Sequence, residues 1–406
     1  MERIRIATLF NRLNIGGDEN RVLNYARSYD RDRFDYRMVV LVRPTKEQED
    51  AAGPMLARFE EHGILVDFLD ETARLTYRRL PFPLSTLRDL GAFGRVGLRL
   101  VRYFRRHRID VLDTRGVNTI ALGSLAARLA GVPVILATEY FLDNWKSGFG
   151  PFLRRHLFRF VDALVTDSHT RTRDFRAYFP RSDGRVYMVP NGIFPPQTAL
   201  SRAEARTRMG VPDHPDTVVL GQVSRLIKYK GHEVLLQAAP RILEQVPGAF
   251  FIICGFAARF SDYEEQLNRM AAELGLADRV RIGGYPGPIA DVWAAVDLHV
   301  HATVYDSSPI AIHETMALGL PAVASATGDI PDLIEDGRTG LLVPPGDAEA
   351  LADAVIRVLT EDGLAARLGA AARLRYEANH RPEIMARGLE RIMLEILGKK
   401  RGPQRL

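Results

Sequence analysis

The chain carries a single cysteine, Cys254. One thiol excludes an intrachain disulfide and any cysteine-based metal site. Its setting, AFFIICG, reads as a buried strand with a core thiol rather than a reactive one. No stretch is apolar for the ~20 residues that a membrane-spanning helix needs. The opening MERIRIATLF lacks the long apolar block and small-residue cleavage site of a secretory signal, so it reads as the first buried strand of a cytoplasmic protein. No G-x-G-x-x-G follows that strand, which argues against a dinucleotide oxidoreductase. There is no fixed-period repeat and no low-complexity tract. Arginines are spread along the chain without a nucleic-acid-binding module, so no nucleic-acid partner is expected.

What remains is a chain of 406 residues, too long for one ordinary domain and suited to two of roughly 200. The formal net charge of +5 suits anionic ligands or anionic membrane surfaces. Short apolar runs at 4–10, 36–42, 65–69, 111–114, 134–138, 163–166 and 186–189 alternate with helical-period segments such as 19–29 and 119–130. That alternation predicts α/β architecture, a parallel sheet with helices on both faces. Pro190-Asn191-Gly192-Ile193-Phe194-Pro195-Pro196 breaks the pattern and marks a linker. The alternation then restarts, with strands predicted at 217–223, 250–254, 280–283, 298–301, 322–324 and 340–343. Helices are predicted at 232–245, 263–274, 310–318, 348–359, 364–379 and 382–397. The predicted domains are 1–194 and 195–380, each doubly wound and Rossmann-like, with a final helical segment, 381–406, packing back toward the first. Ligands of open parallel sheets bind outside the carboxyl ends of the strands. Two such ends facing each other across a cleft would make a two-substrate site, and closure would exclude water from it.

Two segments carry candidate chemistry. In the first, a strand ends near Val223, a helix begins after Gly231, and Arg225 and Lys230 lie in the loop between. A guanidinium fork and a movable ammonium could together neutralise a diphosphate leaving group; the alternative is a solvated surface loop. The second runs from Asp306 to Glu314 after the strand DLHVHAT. Ser308 suits the N-cap of the next helix and Pro309 its first position, so backbone N–H groups at the helix start would face a phosphate. Asp306, before the helix, and Glu314, one and a half turns into it, could each accept hydrogen bonds from hydroxyls of one extended ligand. The alternatives are a turn residue for Asp306 and a helix-surface charge for Glu314.

Arg225-x4-Lys230-Gly231, Asp306-x7-Glu314, the run Gly328-Asp329-Ile330-Pro331-Asp332-Leu333-Ile334-Glu335-Asp336-Gly337 and GLLVPPGD together resemble the retaining glycosyltransferases of family four, glycosyl transferases group 1. Ile15-Gly16-Gly17-Asp18-Glu19 resembles that family's glycine loop, and Pro190-Asn191-Gly192-Ile193 its interdomain linker. The resemblance covers about residues 4 to 360 and is more specific in the C-terminal half. It implies the GT-B fold, with an acceptor-binding first domain and a nucleotide-sugar-binding second one. It implies Arg225 and Lys230 as ligands of the donor diphosphate, Glu314 as acceptor from the ribose hydroxyls, and Asp306 as the group facing the transferred sugar. Arg225, Lys230 and Asp306 are thereby the candidate catalytic set. Ser308, Pro309, Ile310 and Ala311 would line the phosphates, Gly16 and Gly17 would let the N-terminal loop approach the donor, and Tyr285 would lie near the base.

Three departures accompany it. The family usually has Glu where this chain has Asp306, one methylene shorter. Many members carry His near Thr138-Glu139-Tyr140, where a tyrosine hydroxyl cannot act as an imidazole. Asp113 and Arg115 stand where relatives often have histidines. Asp113, Arg115, Glu139 and Tyr140 therefore form the candidate acceptor side. The donor implied is a nucleotide sugar, UDP-linked ahead of GDP-linked, with no separate cofactor; the acceptor is a glycan, a lipid-linked molecule or a small molecule. The resemblance implies retention, by same-face attack through an oxocarbenium-like species; double displacement would need two carboxylates about 5 Å apart, which sequence separation leaves open but the placement of Asp306 in a loop and Glu314 inside a helix disfavours.

No metal site is expected: Asp30-Arg31-Asp32 reads as a surface turn, and His299-x-His301 as strand histidines engaged in packing or ligand contact. His232 reads as the start of its helix, with a phosphate contact as the alternative. Arg95, Arg99, Arg102, Arg105, Arg106 and Arg108 surround Phe93, Val96, Leu100, Val101 and Phe104, and a second patch over 149–160 mixes Phe152, Leu153 and Phe158 with Arg154, Arg155 and Arg159. These patches admit either peripheral attachment to an anionic bilayer or ordinary helices with their apolar stripe in the core. A sugar-nucleotide epimerase, a phosphorylase and a catalytically silent nucleotide-sugar-binding protein of the same fold are the alternatives for the whole chain.

Overall fold

The computed structural model describes residues 3–13, 17–42, 55–70, 84–139, 158–179, 184–257, 261–306 and 308–401. Gly16, Tyr140 and most of the 149–160 patch lie outside the described residues. The chain divides into two compact units, Met1–Gly192 with Pro382–Leu406, and Ile193–Arg381.

The first unit holds a seven-stranded sheet: β1 (Ile4–Phe10), β2 (Phe34–Val42), β3 (Leu65–Asp70), β4 (Val111–Arg115), β5 (Val134–Thr138), β6 (Ala163–Thr166) and β7 (Val186–Met188). Their order is β3-β2-β1-β4-β5-β6-β7, every pairing parallel. Strands such as IRIATLF are apolar almost throughout because helices cover both faces of a parallel sheet. One face packs against helix Pro382–Arg401, whose Met385, Leu389, Ile392, Met393 and Ile396 recur at helical spacing and are buried beside Val22 and Tyr25. The other face packs against helix Leu84–Arg106. Its Val96, Leu100 and Phe104 enter the core, while Arg95, Arg99, Arg102, Arg105 and Arg106 stay in solvent. The apolar stripe of that helix is thus occupied by its own domain. Phe158 is likewise buried, in a single 3-10 turn. Among the described residues no helix is long and apolar enough to cross a membrane.

The second unit holds β8 (Val218–Val223), β9 (Ala249–Cys254), β10 (Val280–Gly283), β11 (Leu298–His301), β12 (Ala322–Ser325) and β13 (Leu341–Val343), ordered β10-β9-β8-β11-β12-β13 and all parallel. Leu220, Phe251, Ile253, Leu298 and Val300 pack against Leu235, Leu236 and Ala239 of helix His232–Gln245. The Cys254 thiol is buried at the end of β9, and burial pushes its pKa up to about 11.

In each sheet the winding reverses beside the first strand of the unit. β1 lies between β2 and β4, and β8 lies between β9 and β11. The crevice at such a switch point is where open α/β sheets bind ligands. Arg225 and Lys230 follow β8, and Asp306 follows β11, so the fold brings both segments to the switch point of the second unit.

Candidate functional site

After β8 the chain enters a loop that closes with the 3-10 turn Lys228–Lys230 and Gly231. Gly231 has φ 66°, and a Cβ there would overlap the carbonyl oxygen of Ala302. Only glycine lets the loop lie this close to the end of β11. The approach is pinned by Thr303 Oγ1 and the Val304 N–H, each donating to the Tyr229 carbonyl at 2.9 Å. From below, the buried Gln222 Nε2 donates to the Lys230 carbonyl at 2.7 Å. The result sets the Lys230 ammonium on Asp306 Oδ2. The same oxygen accepts from Nε2 of the buried His301 at 3.1 Å. Burial pushes the Asp306 pKa upward, but His301 and Lys230 outweigh it, and the carboxyl is held below the usual range. Arg225 shares the loop but is exposed, and its Nη2 donates to the Tyr229 hydroxyl at 2.8 Å. The structure therefore joins Lys230 to Asp306 directly and leaves Arg225 facing solvent beside them.

Helix Ile310–Leu318 starts one residue later than the Ser308 cap predicts. Pro309 is the N-cap, extended at φ −66° and ψ 123°, and no side chain caps it. Its carbonyl accepts from the Ile312 N–H at 3.2 Å and from His313 Nδ1 at 3.0 Å. The preference of proline for extended ψ, combined with its ring-fixed φ, suits a cap as well as a first turn. The leading N–H groups, those of Ile310 and Ala311, stand where a helix has no internal acceptors for them. One turn on, the Glu314 Oε2 accepts from Trp293 Nε1 at 2.8 Å. Desolvation raises the Glu314 pKa to about 7 against the opposing effect of that bond. Glu314 is thus a partly buried acid tied to the core, not a surface charge.

Beneath both acids runs a buried aromatic row. Trp293 meets His299 edge-on at 5.0 Å between ring centroids, and His299 meets His301 edge-on at 5.5 Å. His299 Nδ1 lies 2.9 Å from Thr315 Oγ1, joining β11 to the helix that carries Glu314. The two strand histidines are packed and hydrogen-bonded, and among the described residues no group of three or more His, Cys, Asp or Glu could hold a metal. Asp30 accepts the Asp32 and Arg33 N–H groups on Oδ1, at 3.0 and 3.2 Å, as a turn residue does. His232 is buried at the start of its helix, 2.9 Å from Ser224 Oγ. Burial, then His301 and Lys230, lower its pKa to about 3. Tyr285 spends its hydroxyl on Asp291, at 2.7 Å.

In the first unit, Gly17 opens helix Gly17–Ser28, and among the described residues nothing lies within 4 Å of where a Cβ would stand. Its surroundings in the unit do not demand glycine. Asp113 and Arg115 meet at the end of β4, with Arg115 Nη2 and Nε 2.8 and 3.0 Å from Asp113 Oδ2. Arg115 also pairs with Asp18 at the start of the first helix. Thr138 Oγ1 donates to Asp113 Oδ1 at 3.0 Å. Glu139 follows β5 and is 3% exposed. The sequence reading missed Trp293 and the Asp18–Arg115 pair. Trp293 sits in the short apolar segment ADVWAAV, where no motif distinguishes it from a core aromatic.

The family described as "Glycosyl transferases group 1" matches residues 206–375, and "Glycosyl transferase 4-like domain" matches 16–192. The chain is 30% identical over 339 residues to the GDP-mannose-dependent alpha-(1-6)-phosphatidylinositol monomannoside mannosyltransferase of Mycobacterium tuberculosis, covering 79% of this chain and 84% of that protein. It is 31% identical over 220 residues to the D-inositol 3-phosphate glycosyltransferase of Corynebacterium aurimucosum. That match spans about half of each, 52% of this chain and 52% of the relative. Among solved structures, Anabaena Alr3699/HepE in complex with UDP and glucose superposes with a TM-score of 0.76 at 21% identity, covering 97% of this chain and 100% of that one. A glycosyltransferase from Rickettsia africae superposes with a TM-score of 0.78 at 18% identity, covering 98% and 99%. Those structures share the fold, two Rossmann-like domains of GT-B type, and with the sequence matches they make this chain a member of the glycosyl transferases group 1.

Proposed function

We propose that this glycosyltransferase moves a hexosyl group from a nucleoside diphosphate sugar to an acceptor hydroxyl with retention of anomeric configuration. The observation that carries the reading is the meeting of Lys230, Asp306, the start of helix Ile310–Leu318 and Glu314 around the switch point of the second unit. As the glycosidic bond to the leaving phosphate breaks, negative charge grows on the phosphate oxygen. Lys230, Arg225 and the N–H groups of Ile310 and Ala311 stabilise it. Ser308 and Pro309 line the same phosphates, Glu314 accepts from the ribose hydroxyls, and Asp306 accepts from hydroxyls of the departing sugar. The two acids are held by different partners, one beside a cation and one with a pKa near 7, which favours separate tasks over a double-displacement pair. Attack then comes from the face the leaving group vacates, through an oxocarbenium-like species.

In this reading the second unit binds the donor and the first the acceptor. Asp113, Arg115, Glu139 and Tyr140 of the first form the acceptor side, and Gly16 and Gly17 are its donor-side positions. Tyr285 presents its ring and backbone, not its tied hydroxyl, toward the base. UDP-linked sugars are the first donors to try and GDP-mannose the second, the latter because the mycobacterial relative is named for it. Acceptors to try are glycans, lipid-linked molecules and small polyols, in keeping with cell-surface glycan, glycolipid or secondary-metabolite synthesis in the cytoplasm. Peripheral contact with an anionic bilayer would use the exposed arginines of helix Leu84–Arg106 and the exposed Leu98. Flotation with anionic liposomes at low salt tests it, and absence of binding refutes it.

The test of the main reading is turnover with a panel of UDP- and GDP-sugars, with product configuration read by NMR. Transfer with retention is expected. No turnover of any donor, with no nucleotide binding by calorimetry, would reject it; a free epimerised nucleotide sugar would point to an epimerase instead.

A further inference from the structure

We propose that His301 is a positioning residue that holds the Asp306 carboxylate when Lys230 turns to the donor diphosphate. The inference rests on the reading of Asp306 as the group that faces the transferred sugar. In the structure Asp306 Oδ2 accepts from Lys230 Nζ and from His301 Nε2. They differ in what a ligand does to them. The ammonium sits on a flexible four-carbon stem, and a diphosphate competes for it with more negative charge than one carboxylate offers. The imidazole cannot follow. It ends β11, is 1% exposed, and is wedged edge-on against His299, which is itself tied to Thr315. Once Lys230 moves to phosphate, His301 still holds the carboxylate.

The histidine is not explained by packing alone. β11 is a central strand, and at such positions aliphatic residues fill the core without polar atoms. His301 Nδ1 is buried without a hydrogen-bond partner among the described residues, a cost that a leucine would not carry. The return on that cost is the bond to Asp306. The bond matters more in this chain because aspartate is the shorter acid: its carboxylate lies within reach of the strand end and can be fixed from below.

The test compares His301→Leu, His301→Gln, Asp306→Asn and the His301→Leu/Asp306→Asn double variant. The measurements are kcat and KM for transfer from the nucleotide sugar that the wild type uses, and calorimetric affinity for the matching nucleoside diphosphate. The leucine variant is expected to lose about tenfold or more in kcat, the cost of one hydrogen bond to a charged group, with nucleoside diphosphate affinity within about twofold of wild type. The glutamine side chain places an amide N–H near the Nε2 position and should restore most of the loss. In the Asp306→Asn background His301→Leu should add little, because the histidine acts through the acid. Equal loss in the leucine and glutamine variants, or loss of nucleoside diphosphate affinity in step with kcat in both, would show a packing role and overturn the proposal. Full additivity in the double variant would do the same. An impaired Asp306→Asn enzyme with an unimpaired His301→Leu enzyme overturns this inference alone. An unimpaired Asp306→Asn enzyme overturns the reading of Asp306 and the inference with it.

Discussion

The elevated pKa of Glu314 gives a sharp prediction for donor binding. In the empty protein desolvation holds this acid at about 7, and Trp293 Nε1 only partly offsets it. If ribose hydroxyls donate to the carboxylate, the bound form favours ionisation, and its pKa returns toward the ordinary 4.5. Binding then releases a proton between the two values, where the empty site is protonated and the bound one ionised. The sign follows from linkage: affinity rises with pH up to the empty-site value near 7 and levels off above it. With 7 and 4.5 as the two values, affinity at pH 6 should be about tenfold below that at pH 8, about 1.4 kcal/mol. Titration calorimetry with an intact nucleotide sugar is the assay, because its two esterified phosphates do not titrate in this range. Repeating it in buffers of different ionisation enthalpy counts the protons released. The Glu314→Gln variant should bind more weakly at pH 8 and lose most of the pH dependence. Proton uptake on binding, or the same pH dependence in Glu314→Gln, would refute the assignment of Glu314 to the ribose.

Four other outcomes are expected. Lys230→Ala should lower kcat/KM by about 10²-fold or more, since it removes the cation proposed to stabilise the leaving phosphate; unchanged transfer would contradict that role. Gly231→Ala forces a Cβ against the Ala302 carbonyl and a left-handed φ onto alanine. It should cost about 1–2 kcal/mol in denaturant unfolding, and more if the backbones cannot part; it should also lower donor affinity by displacing Lys230. Arg115→Met leaves the buried Asp113 without its main counter-charge, and a loss of about 3–5 kcal/mol is expected from thermal or denaturant unfolding. Asp306→Glu restores the family's usual acid. It should shift the ratio of kcat/KM between donor sugars of one nucleotide by at least several-fold, and an unchanged ratio would remove Asp306 from sugar selection.

Most of the scaffold was legible in the sequence because parallel strands covered on both faces must be apolar nearly throughout. IRIATLF, AFFIIC and LHVH stand out between polar helical segments on that ground alone. Short elements were less legible. Helix Arg202–Arg208 is polar over most of its seven residues and shows itself only by the capping box Ser201-x-x-Glu204, a signal present in the sequence and passed over. The predicted span 310–318 matches the observed helix, but its cap is Pro309 and not Ser308, because serine and proline each suit neighbouring cap positions and only backbone geometry separates them.

The site divides along a similar line. The residues proposed to meet an anion or a hydroxyl sit in loops at strand ends, as Arg225, Lys230 and Asp306 do, or in the helix that follows, as Glu314 does, so they could be found from charge, spacing and family likeness. The residues that aim them could not. Trp293 reaches Glu314 across 21 positions, and Arg115 reaches Asp18 across 97. Such pairs follow from the order of strands in the sheet, not from local pattern. His301 is the instructive case, because both members of its pair were visible five residues apart. A strand carries its side chains to alternate faces, and nothing local tells where the chain turns after the strand ends. Gly231 decides it here: by letting the neighbouring loop press onto Ala302, it brings Lys230 to the same carboxylate oxygen that His301 meets. The aim of Asp306 is thus set by two segments some seventy residues apart, and the short side chain of aspartate leaves it little freedom to escape either.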